Sequence, residues 1–167
     1  MRDARALLTP QGFEGVIATV CDNNPDMPEA TAERIVTEAL KYVAAAAQFP
    51  TMYIQPSKVV DEGWHSLILH TQMYAKLCAG LGCFVNHFPE RPGPERHDPD
   101  VLTRTVALIE QAGFTVDAEL WTGPTKTLVG VAANCSHTPV PGGCGPINPG
   151  NCATHGGGGD GGDGDGE

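Results

Sequence analysis

Ser57-Lys58-Val59-Val60-Asp61-Glu62-Gly63-Trp64-His65-Ser66-Leu67-Ile68-Leu69-His70-Thr71-Gln72-Met73-Tyr74-Ala75-Lys76-Leu77-Cys78-Ala79 is the stretch on which the reading of this chain turns. A helix advances about 100° per residue, so Val60, Trp64, Leu67, Thr71, Tyr74 and Cys78, spaced alternately by four and three, fall on one stripe. That stripe is predicted to face a core. Ser57 is placed to cap the first turn, and Gly80 and Gly82 to stop the last, which predicts one helix from Ser57 to about Ala79. Asp61, His65, Ile68 and Gln72 form a second stripe beside the first. An aspartate one turn before a histidine can accept a hydrogen bond from the ring, fix its tautomer, and leave the other nitrogen to bind a metal or take a proton. His70 falls with Glu62 and Ser66 on the arc predicted to face solvent, which argues against it as a ligand.

Beyond the helix end stand Cys83 and His87. Together with His65 and Cys78 they supply imidazole and thiolate donors suited to zinc or another transition metal such as copper or iron. Three readings of this seam stay open. His65, His87, Cys83 and Cys78 are candidate metal ligands. Asp61 and His65 are a candidate catalytic pair, with Asp61 orienting a general base. The same pair can also be a buried lock that ties the helix to a neighbouring loop, with Cys78 packed as a small hydrophobe.

Working outward, Thr9-Pro10 reads as a cap and first helical residue, followed by Phe13, Val16, Ile17, Val20 and Cys21 on one face. Asp26 and Glu29 have the spacing of a capping box, and Ile35, Ala39, Val43 and Ala46 then recur every four or so positions until Phe49-Pro50. Asp98-Pro99 predicts the start of a further helix carrying Leu102, Thr105, Val106 and Ile109, closed by Gly113. Asp117 reads as the cap of one more turn through Leu120-Trp121. The short run Thr127 to Val131 has strand composition but cannot build a sheet alone. The expectation is therefore an all-α domain over residues 1–133, a small bundle of four to five helices.

Residues 134–167 are read as a glycine-rich, acidic, disordered tail, poor in the large apolar groups that offset ordering entropy. Cys135, His137, Cys144, Cys152 and His155 lie in it as a second set of candidate metal ligands, able to order the tail only with an ion present. Asp160, Asp163, Asp165 and Glu167 contribute to a formal net charge of -10. With ten Lys plus Arg scattered singly, the basic surface that nucleic acids and anionic membranes require is missing, so neither is an expected partner. No apolar run approaches the roughly 18 residues of a membrane span, and no signal-like core follows the charged start. The six cysteines are expected to be reduced, in a cytoplasmic protein. Neither a phosphate-cradling glycine loop nor a dinucleotide fingerprint is found.

The residues Pro56-Ser57, Val60-Asp61-Glu62, Trp64-His65, Ile68-Leu69, Thr71, Tyr74, Cys78, Gly82 and His87 with Pro89 resemble the motif of the glycine-rich domain-containing protein-like family of plants and bacteria. Arg104-Thr105, Ala112-Gly113-Phe114 and Val116-Asp117 look similar to its bacterial members. Many relatives carry a second histidine two residues after the first, where this chain has Leu67. The resemblance implies a helical domain and assigns no activity. The expected function is a helical binding module, holding a transition metal and engaging a protein partner through its tail. A small metal- or acid/base-dependent enzyme and a purely structural interaction domain are the alternatives.

Overall fold

The computed structural model describes residues 2–89, 100–122 and 135–136, and the statements below concern these. The first helix, α1 (Pro10–Asn23), begins where Thr9 accepts a hydrogen bond from the Gly12 N–H and Pro10 takes a position that needs no donor. Phe13, Val16, Ile17 and Val20 are buried as their spacing predicts, with Cys21 half-buried at the margin. A single 3-10 turn, Arg5–Leu7, precedes it. The second helix, α2 (Glu29–Gln48), does not form the expected capping box: Pro28 stands at its N-cap, without a side-chain hydrogen bond. Its burial extends nearly all round, from Ala32 through Ile35, Val36, Leu40, Tyr42 and Val43 to Ala47, which makes it the central helix. Its alanines let α1 and the helices described next approach closely.

The long helix predicted from Ser57 is two helices, α3 (Lys58–Leu69) and α4 (Thr71–Leu81), and this raises the number of α-helices among the described residues to six. His70 between them has a non-helical backbone, its N–H closing a tight turn onto the Leu67 carbonyl while its own carbonyl receives the Tyr74 N–H. The reason lies in a tertiary contact. Trp64 Nε1–H donates to the Tyr74 hydroxyl at 3.1 Å, although residues ten apart on a straight helix are separated by about 15 Å along its axis. The break folds α4 back so that indole and phenol meet. It also leaves Thr71 exposed, against its expected place in the core stripe, and moves His70 onto α1, where Nε2 lies 2.9 Å from the Thr19 hydroxyl. Gly82, with φ 79°, ends α4 in the left-handed conformation that glycine tolerates.

The remaining helices are α5 (Val101–Gln111) and α6 (Ala118–Thr122). Asp100, rather than Asp98, is the N-cap of α5; Asp98 and Pro99 lie outside the described residues. α6 is locked to α2 by Glu38, which is 1% exposed yet fully engaged: its carboxylate accepts from Trp121 Nε1 at 2.7 Å, from the Asp117 N–H at 3.2 Å and from Lys41. Arg34 bridges Asp117 and Glu119 on the surface beside it, and its guanidinium holds the Asp117 carboxyl below the usual carboxylate range. Ser57 caps α3 as expected and also donates to the Leu120 carbonyl at 2.6 Å, joining α3 to α6. After α4 the chain is extended through β1 (Phe88–Pro89), which pairs antiparallel with β2 (Cys135–Ser136), Phe88 opposite Ser136 and Pro89 opposite Cys135.

The fold is thus all-α, with α3 packed against both α2 and α1. This two-sided packing is why Ser66, expected at the surface, is fully buried. Its hydroxyl has no hydrogen-bond partner. A buried polar group left unmatched costs about 1–3 kcal/mol, partly recovered in a hydroxyl that also fills space. Ser66→Ala is therefore expected to raise the urea midpoint, corresponding to a gain of up to about 1 kcal/mol; a lowered midpoint would contradict this account. No helix among the described residues is long and apolar enough to cross a membrane. The expected strand at 127–131, the domain boundary at 133 and, apart from Cys135–Ser136 in β2, the expected tail lie outside the described residues.

Candidate metal centre

α3 carries Asp61 and His65 one turn apart, and the extended segment after α4 brings His87 against them. One ligand atom from each of the three lies within 4.8 Å of the other two. The Asp61 carboxylate is 1% exposed; Oδ1 is 3.5 Å from His87 Nε2 and Oδ2 is 3.3 Å from His65 Nδ1. These separations permit Coulomb attraction when the rings are charged, but they lack hydrogen-bond geometry. Both carboxylate oxygens and His87 Nε2 are buried without a hydrogen-bond partner. Three orphaned polar atoms that face one another are uncommon in a folded interior.

His65 Nδ1 lies 2.8 Å from the main-chain carbonyl of Asp61. A carbonyl can only accept, so Nδ1 carries the proton and the ring lone pair sits on Nε2, the form that ligates metals. The sequence predicted that the aspartate side chain would fix this tautomer. The backbone of the same residue does so at the shorter distance. His65 is the most exposed member, with 36% of its side chain accessible against 14% for His87, so the open side of the cluster is on the His65 flank.

The His87 ring is held edge-on between two others, its centroid 4.5 Å from the Trp64 indole and 4.3 Å from the His65 ring. Trp64 is itself fully buried against Tyr42. The Tyr74 hydroxyl, accepting from Trp64 Nε1, donates to the Val85 carbonyl at 2.6 Å. Burial pushes the Tyr74 phenol up from its usual range.

The cysteines expected beside His65 and His87 are placed elsewhere. Cys78 is fully buried next to Tyr74 and the Val85 backbone, and burial raises its thiol, so it stays neutral and packs as a hydrophobe. Cys83 is disulfide-bonded, which corrects the expectation of reduced cysteines at this position and leaves it no thiolate to offer an ion. Cys21 and Cys78 are free thiols. The side chains brought together are His65, His87 and Asp61, in place of the expected His, His, Cys set. Of the tail candidates, His137, Cys144, Cys152 and His155 lie outside the described residues, as does the Cys135 side chain.

A protein-family model matches residues 5–105, more than half of the chain. The chain belongs to the UCP032817-like family. The UCP032817-like segment runs from the turn before α1 into α5 and contains all three cluster residues together with Trp64, Tyr74 and Cys78; α6 falls beyond it. No curated protein and no solved structure matches the chain.

Proposed function

We propose that this UCP032817-like chain is a helical binding module that holds a divalent transition metal through Asp61, His65 and His87. The observation that carries the reading is the burial of both Asp61 oxygens and His87 Nε2 without hydrogen-bond partners. Leaving each unmatched costs about 1–3 kcal/mol, and one cation satisfies all three. The spacing suits it, because two donors about 2.1 Å from a tetrahedral ion stand roughly 3.4 Å apart, close to the 3.5 Å between Asp61 Oδ1 and His87 Nε2. His65, the most exposed of the three, stands on the open side of the cluster with its Nδ1 held by the Asp61 carbonyl, which leaves the Nε2 lone pair as its donor. Two imidazoles and a carboxylate favour zinc or iron(II) over copper(I), which prefers the thiolates that this centre lacks.

An acid/base enzyme built on Asp61 and His65 is the weaker reading. Such a pair needs the carboxylate on the imidazole N–H, whereas His65 Nδ1 meets the backbone carbonyl at 2.8 Å and the carboxylate at 3.3 Å without hydrogen-bond geometry. The resemblance to the glycine-rich domain-containing protein-like family rests on these same side chains and belongs to this proposal. So does engagement of a protein partner through the tail. A cytoplasmic location is an expectation from the sequence, and the Cys83 disulfide weighs against it.

The test is calorimetric titration of untagged, metal-stripped full-length protein with zinc and with iron(II) under anaerobic conditions. One equivalent is expected to bind, and His87→Ala is expected to lose it. An ion retained at full stoichiometry by His87→Ala would belong to another set, such as the tail cysteines, and would remove this assignment.

A further inference from the structure

Asp61 and His65 share a helix, so their relation is set by helical geometry. His87 comes from a separate extended segment, and something must hold it in register. Two features fix that segment within reach of the cluster. Val85, two residues before His87, gives its carbonyl to the Tyr74 hydroxyl, and the ring of His87 lies against the Trp64 indole. The indole is in turn oriented through its Nε1–H, which donates to the same hydroxyl. One buried oxygen therefore governs both the backbone anchor and the aromatic wall of the third ligand. The α3–α4 break at His70 exists in a form that brings this oxygen into place.

Resting on the metal reading above, we propose that Tyr74 is the positioning residue of the centre: its hydroxyl, accepting from Trp64 and donating to Val85, sets the distance of His87 from Asp61 and thereby the affinity for the ion. Tyr74 is not one of the three cluster residues and acts through Trp64 and Val85. Cys78 packs beside it as a buried, neutral thiol. A phenylalanine at position 74 would retain the ring and its packing on Phe84 while leaving the Trp64 N–H and Val85 carbonyl unmatched.

The experiment compares wild type, Tyr74→Phe and Thr105→Val. Thr105 is an equally buried hydroxyl on α5 that accepts from the Gln55 N–H and donates to the Val101 carbonyl, away from the cluster. Zinc affinity is read by competition with a chromophoric chelator, and geometry by the visible absorption of the cobalt(II) form. Loss of a group that orients a ligand typically weakens metal binding by about 10–100-fold. Tyr74→Phe is expected to show that loss and a changed cobalt spectrum, while Thr105→Val lowers the melting temperature and leaves both readouts at wild-type values. Affinity and spectrum unchanged in Tyr74→Phe, or reduced equally in Thr105→Val, would overturn the positioning role. If Tyr74→Phe fails to fold, Trp64→Phe takes its place, with weakened binding expected and wild-type binding overturning the proposal. Absence of binding by the wild-type protein would instead overturn the metal reading on which this one rests.

Discussion

Asp61→Asn is expected to abolish the stabilisation of this protein by zinc or iron(II) while leaving the metal-free protein at least as stable as wild type. The two halves of this outcome have one cause. In the metal-free protein the Asp61 carboxylate is buried with neither oxygen hydrogen-bonded, 3.5 Å from an equally unmatched His87 nitrogen. A carboxylate oxygen and a ring nitrogen without hydrogen-bond geometry toward each other leave both buried groups unmatched. An amide of the same shape supplies an N–H that can point at His87 Nε2, and it carries no charge into the interior. The same amide is a poor metal ligand, so the gain in the free protein accompanies loss of the site. For wild type, an ion at a hundredfold excess over its Kd stabilises the folded state by about 2.7 kcal/mol. In a protein of this size that raises Tm by roughly 5–10 °C. Thermal melts with and without added metal should show that rise in wild type and none in Asp61→Asn. A large fall in the metal-free melting temperature of Asp61→Asn would show that the carboxylate is stabilising on its own, which is what a buried Asp-His lock requires and a metal ligand does not.

Much of this centre was legible in the sequence because it is local. Trp64 and Leu67 reach the core, and Asp61 and His65 share a face, for reasons of helical period alone. His87 was a candidate by residue type, but its path back to α3 could not be read from spacing. It depends on the Tyr74–Val85 bond, a contact between a helix and an extended segment. The same kind of long-range cause misplaced Thr71 and Ser66. A straight helix carries the periodicity well, and only the indole–phenol contact reveals that it must break at His70. For Cys78 the reading as a small buried hydrophobe, one of the two the sequence offers, is the one the burial fits. Cys78 is buried beside Tyr74 and the Val85 backbone, and Cys83 is disulfide-bonded, which no local pattern encodes. Glu38 gave no signal at all. A glutamate on an amphipathic helix reads as a solvated charge until α6 is found covering it.

Gly63→Ala is expected to destabilise the protein by about 1–3 kcal/mol, although the substitution favours helix formation. Alanine is better than glycine in a helix interior by about 1 kcal/mol, so propensity alone predicts a more stable protein. Packing opposes it. A Cβ at position 63 would lie 2.8 Å from Ile35 Cγ2, 3.0 Å from the Ile35 carbonyl oxygen and 3.1 Å from Ala39 Cβ. The carbonyl is part of the α2 backbone and Ile35 is fully buried, so neither can turn aside. The relief open to the molecule is to lift α3 from α2 along their contact. That motion carries Asp61 and His65 with it and leaves His87 behind on its own segment, so metal affinity should fall together with stability. Chemical denaturation of the single variants Gly63→Ala and Ile35→Ala and of the double variant separates the two effects. Removing Cγ2 should make the alanine at 63 less costly, giving a total smaller than the sum of the single changes. A Gly63→Ala protein more stable than wild type, or strict additivity with Ile35→Ala, would mean that the close crossing of α2 and α3 at this glycine does not set the height of α3.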